Sequence, residues 1–261
     1  MREPSVILET KDLSKRFGGL VAVNSVSFAV EPGEIRAVIG PNGSGKSTLL
    51  NLLSGVYKPD GGTVLLDGVP IGGNVPSLIT KAGIGRTFQN TSLFSTLTVL
   101  DNVMVGTFCR MHANIFQAVL GTRKARKEEH AAREEALELL EVVGLKDRAE
   151  SLPTDLSYGQ RKTLEMARAL GSHPRVLMLD EPVGGLSSKE VDELVRIIRE
   201  LRAEGLTLIV VEHNMRFVMG LADRISVLNF GRKIAEGSPE EIRANPEVIT
   251  AYLGEGGEQA C

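Results

Sequence analysis

The sequence predicts an α/β fold built around a largely parallel β-sheet. Apolar runs of strand length alternate with helix-period segments along most of the 261 residues, and three of those runs end in residues suited to chemistry. Ile35-Arg36-Ala37-Val38-Ile39 leads into a glycine-rich loop. Val176-Leu177-Met178-Leu179 leads to Asp180-Glu181, and Leu206-Thr207-Leu208-Ile209-Val210-Val211 leads to Glu212-His213. Ligands of open parallel sheets bind beyond the carboxyl ends of the strands, so the three termini are expected to share one site.

The remaining elements follow from local pattern. Val26, Phe28 and Val30 alternate with small or polar neighbours, and 63–66 and 69–71 flank Asp67-Gly68, a hairpin signal; together they predict a small antiparallel lobe. From about Leu97 to Asp155 the strand signal stops. Ala132, Ala136, Leu139, Leu140 and Val143 recur there at helical spacing, which predicts a helical subdomain over 97–158 inserted within a single domain of 1–261. The charged stretch 123–129 places acids after bases and reads as a solvated helix start, with a partner surface as the alternative. Ser238-Pro239-Glu240-Glu241 reads as a capped start, predicting one C-terminal helix over 238–254 before a loose Gly-Glu tail.

Composition narrows the function classes. With 42% hydrophobic and 24% charged residues the chain can bury one large core and is not disordered. A net charge of −3 gives no general attraction to nucleic acid. Cys109 and Cys261 form no disulfide framework, which points to a reducing compartment. Arg2, Glu3 and Lys11 interrupt any signal peptide, and no apolar run approaches the ~20 residues needed to span a bilayer, so work at a membrane is expected from outside the bilayer.

The loop Gly40-Pro41-Asn42-Gly43-Ser44-Gly45-Lys46-Ser47-Thr48 fits G-x-x-x-x-G-K-[ST] between a strand and a helix, and implies a bound nucleoside triphosphate. Its glycines let backbone N–H groups turn inward around phosphates, and the following helix presents its positive end. Lys46 supplies a charge for the β/γ-phosphates, and Ser47 a hydroxyl for Mg²⁺. Asp180, after four apolar residues, suits Mg²⁺ coordination. Glu181 beside it is the candidate general base, and His213 a candidate γ-phosphate contact.

Asp155-Leu156-Ser157-Tyr158-Gly159-Gln160, about twenty residues before Asp180-Glu181, resembles the signature motif of ATP-binding cassette (ABC) proteins, and the family's order of motifs is matched along nearly the whole chain. The resemblance implies a P-loop ATPase that uses ATP and Mg²⁺. It assigns Phe17 to adenine stacking, with Phe28 a rival that reads better as core. It assigns Gln89 to sensing Mg²⁺ and the attacking water, Asp180 to the metal, Glu181 to catalysis and His213 to switching. Ser157, Gly159 and Gln160 would face the ATP of a second cassette in a head-to-tail pair. Tyr158 and Ser187 depart from the common pattern, where glycine and an interface aspartate stand; the second departure puts coupling between the two sites in question.

The tyrosine-bearing signature, Arg86-Thr87-Phe88-Gln89-Asn90, Val211 to Met215 and the ending Asn245 to Gly254 resemble the ATP-binding subunit of branched-chain amino-acid uptake systems. That implies transmembrane permease subunits, a second ABC ATPase subunit (a heterodimer, with a homodimer as alternative), an indirect solute-binding protein, no nucleic acid, and a peripheral place on the cytoplasmic face of the cell membrane. Urea or amide uptake, lipopolysaccharide export and a non-transport soluble ABC ATPase remain alternatives. A GTPase is disfavoured because no Asn-Lys-x-Asp stretch is present.

Overall fold

The structure, a computed structural model, describes residues 6–87, 93–110 and 122–256. Two sheets form. The smaller is antiparallel, in the order β2-β1-β4-β5, from β1 (Leu8–Phe17), β2 (Leu20–Val30), β4 (Gly61–Leu66) and β5 (Val69–Pro70). Asp67 and Gly68 both have positive φ, the geometry of a two-residue primed hairpin turn. The larger sheet runs β10-β9-β3-β8-β7-β6, from β3 (Ile35–Ile39), β6 (Ile84–Arg86), β7 (Val176–Asp180), β8 (Thr207–Val211), β9 (Arg224–Asn229) and β10 (Arg232–Gly237). All its pairings are parallel except β9 with β10.

The central strands β3, β7 and β8 are buried at every residue, as expected of strands covered on both faces. Alternate residues enter two cores. Val38, Met178 and Ile209 pack with the small sheet and with Leu49, Leu50 and Leu53 of α1 (Lys46–Leu53). Ala37, Leu177 and Val210 pack on the opposite side with helical residues such as Leu140, Leu164 and Ile197. Arg36, on the small-sheet side, is fully buried; Glu34 and Glu236 pair with its guanidinium and Ala29 O accepts from it, so the charge is matched where it is desolvated.

After α2 (Pro76–Ala82) and β6, the described part of 97–155 contains no strand. It holds α3 (Val99–Thr107) and α4 (Arg123–Val142), and α5 (Tyr158–Leu170) follows. Ala132, Ala136 and Leu140 form the buried stripe of α4, while Lys124 and Glu128 pair on its outer face at 3.9 Å. Helices α6 (Ser188–Ala203) and α7 (Met215–Leu221) complete this layer. The C-terminal region differs from the single helix expected. It forms α8 (Pro239–Ala244) and α9 (Pro246–Gly256), divided at Asn245, whose ψ of 117° is extended. The cause is Pro246, which disfavours the helical conformation of the residue before it and donates no N–H.

Helices α3 and α5 are in tight contact at Gly106, where an added Cβ would lie 1.9 Å from Arg168 O. Gly106→Ala is therefore expected to destabilise the fold by about 1–3 kcal/mol through overpacking, read as a lower melting temperature. An unchanged melting temperature would contradict this contact.

Candidate functional site

The register of the large sheet builds the site. Val38 pairs with Val211, and Val211 pairs with Asp180, so the ends of β3, β8 and β7 lie in adjacent rows. The loop 40–48, Asp180, Glu181 and His213 are thereby brought to one edge. Gln89 lies outside the described residues.

The loop's shape depends on glycine at two points. Gly40 (φ 153°) and Gly45 (φ 103°) sit where a Cβ would stand 2.1 Å from Leu228 O and 2.3 Å from Ala22 O. Gly45 is also the N-cap of α1 and provides no side-chain cap, whereas Thr98, Ser157, Ser187 and Asn214 cap α3, α5, α6 and α7. The amino end of α1 thus keeps backbone donors for an anion. Lys46 is buried, and its ammonium donates to Gly40 O (2.6 Å) and Pro41 O (2.8 Å), holding a positive charge inside the loop. This cradle fits a polyphosphate.

Phe17 ends β1 and is 42% exposed, with its ring edge-on to Tyr57 at 5.2 Å. Asp60 fixes that strand end by accepting from Arg16 N (2.7 Å) and Lys15 Nζ (2.9 Å). Phe28 is buried in the core and presents no free face.

Asp180 is buried and paired with Arg86 at 2.9 Å; the same guanidinium donates to Asn51 of α1 and to Ser54, the residue that caps its carboxyl end. Arg86 therefore locks the helix after the loop to the strand that carries Asp180. The donor set here is one carboxylate and the exposed hydroxyl of Ser47. That is sparse enough to suit a hard cation taking its other oxygens from phosphate and water. Glu181 has φ 48°, a left-handed conformation that costs a non-glycine residue on the order of 1–2 kcal/mol. Its N–H donates to Val211 O (2.9 Å), and its carboxylate lies 4.0 Å from His213 Nδ1.

Glu212 is fully buried. It accepts from Val183 N (2.9 Å) through one oxygen and from His213 N (3.0 Å) and Asn214 N (3.2 Å) through the other. One carboxylate thus joins the turn after Glu181 to the turn that carries His213. Arg86 and Glu212 were not singled out from sequence as site residues. The available signal was a charge set in or directly after an apolar strand run, the same signal that marked Asp180.

Ser157, Gly159 and Gln160 lie at the start of α5, lining a separate concavity of about 370 Å³ with Glu190. Ser157 Oγ and the Gln160 side chain form a reciprocal cap. Glu190 is held below the usual carboxylate range, first by the Ser187 amide, then by the Ser187 hydroxyl, the Gly159 amide and the Ser157 hydroxyl. The signature donors therefore already face an anion.

Comparison with known proteins agrees with this geometry. The profile described as ABC transporter matches residues 23–184, and that described as branched-chain amino acid ATP-binding cassette transporter matches 232–258. The chain is 44% identical over 250 residues to the high-affinity branched-chain amino acid transport ATP-binding proteins BraF of Pseudomonas aeruginosa and LivG of Escherichia coli K12, covering 95% of this chain and 98% of each relative. Among solved structures, the ADP conformation of MJ1267, an ATP-binding cassette of an ABC transporter, superposes with a TM-score of 0.84 at 33% identity, covering 95% of this chain and 99% of that one. The dimeric structure of MJ0796, a bacterial ABC transporter cassette, gives 0.76 at 28% identity over 89% and 99%. Similarity that runs the length of the chain, on a sheet edge already arranged to hold phosphates beside two carboxylates, assigns the chain to the ATP-binding cassette transporter family of ATPases.

Proposed function

We propose that this chain powers the uptake of branched-chain amino acids, hydrolysing ATP on the cytoplasmic face of a membrane whose transmembrane subunits carry the substrate. The observation that carries the substrate class is 44% identity, over nearly the full length, to two branched-chain transport subunits, reinforced by the separate C-terminal match. Among the described residues no helix is long and apolar enough to cross a membrane, which favours attachment to separate membrane subunits. A second ABC ATPase, different in sequence, is the preferred partner in the pair, with a solute-binding protein acting through the permease.

In the mechanism, the loop amides and Lys46 hold the β/γ-phosphates and offset their charge. Phe17 offers its exposed ring to adenine. Mg²⁺ would be held by Ser47, Asp180 and Gln89 and would neutralise phosphate charge. Glu181 orients and deprotonates the attacking water, and His213 contacts the γ-phosphate from the neighbouring strand end. Ser157, Gly159 and Gln160 of the partner cassette would close the same ATP. The donors that hold Glu190 in a single chain support this role, because they suit a terminal phosphate equally. Glu212 keeps Glu181 and His213 in mutual register.

Two outcomes are expected. In cells lacking this chain, wild type should restore uptake of labelled leucine and Lys46→Ala should not; normal uptake in the deletion strain would contradict the substrate reading. Glu212→Gln puts an amide NH₂ against backbone donors. It should lower kcat about tenfold, roughly 1.4 kcal/mol, with ATP affinity little changed. Unchanged kcat would count against a positioning role for Glu212.

A further inference from the structure

The backbone of Glu181 is strained and needs surrounding contacts to persist. On one side Val211 O fixes its N–H. On the other, its carbonyl accepts from Gly184 N at 3.3 Å and from Lys162 Nζ at 2.6 Å. A carbonyl that accepts a cation at this distance makes a charge-assisted bond, stronger than the turn's own amide contact. Lys162 lies on α5, the helix whose amino end carries Ser157 and Gly159. One turn earlier, Tyr158 places its ring 5.6 Å from the Lys162 ammonium, and the same ring edge lies 3.0 Å from where a Cβ on Gly185 would stand. Tyr158 and Lys162 therefore embrace the turn 181–185 from the signature helix of the same chain.

We propose that Lys162 is a positioning residue for Glu181. Its ammonium holds the carbonyl and thereby the left-handed backbone that aims the carboxylate, so the aim of the base is tied to the placement of the signature helix. Tyr158 keeps the ammonium in place. Because α5 also presents the donors expected to meet the partner's ATP, a shift of that helix on pairing moves the Lys162 contact and alters the chain's own base. This inference rests on the assignment of Glu181 as general base.

The test is a double-mutant cycle on ATP turnover by the full chain, with nucleotide affinity measured separately. Lys162→Met should leave the ATP Kd within about twofold and lower kcat at least about tenfold, while Lys162→Arg restores most of the rate. Combined with Glu181→Gln, it should add no further loss, because both changes act through one group. An additive loss, or a Lys162→Met rate equal to wild type while Glu181→Gln is inactive, overturns the proposal but leaves the base assigned. Full turnover by Glu181→Gln instead overturns the base assignment itself. Lys162→Gln, uncharged and one atom shorter, carries the same expectations where Lys162→Met does not fold.

Discussion

The parallel ladder joining β3, β8 and β7 is the constraint on which the site depends. Val38, Val211 and Asp180 lie in one register; Glu181 follows that row by one residue, His213 by two, and the phosphate loop begins two residues past Val38. A one-residue slip would exchange the faces of a strand, moving Leu177 and Leu179 out of one core and Val176 and Met178 out of the other. Burial of both faces thus fixes the register, and the register fixes the site. The phosphate loop, the paired carboxylates and the histidine need no direct contact in order to be brought together.

Polar contacts then refine what the ladder places coarsely. Arg86 ties Asp180 to α1, Glu212 ties the Glu181 turn to His213, and Lys162 ties Glu181 to the signature helix. Each uses a charge that is buried or half-buried, where it forms strong bonds and is costly to leave unmatched. The result is a carboxylate aimed by its backbone. Glu181 adopts φ 48° because its N–H and carbonyl are both engaged from outside its own turn.

Much of this was legible in the sequence for a physical reason. The run 35–39 became β3 without a shift of boundary because four of its five residues are apolar, only Arg36 interrupts them, and the glycine-rich loop ends the run at Gly40. The phosphate loop and the Asp67-Gly68 hairpin were legible because glycine meets a local backbone demand. The clamps were not. Arg86 and Asp180 are 94 residues apart, and Glu212 reaches a backbone amide 29 residues away; no local pattern encodes such partners. The division at Asn245 departs from the single helix that the Ser238 cap suggests, because a capped start carries no information about where the helix ends; Pro246 sets that end.

Phosphate release from bound ATP in a single turnover, compared between wild type and Glu181→Gln, tests the central claim most directly. The account predicts that the variant binds ATP with wild-type affinity and releases phosphate about 10²–10⁴-fold more slowly, the usual effect of removing a general base. Release at the wild-type rate would contradict it, and the base would have to be sought elsewhere on the same sheet edge.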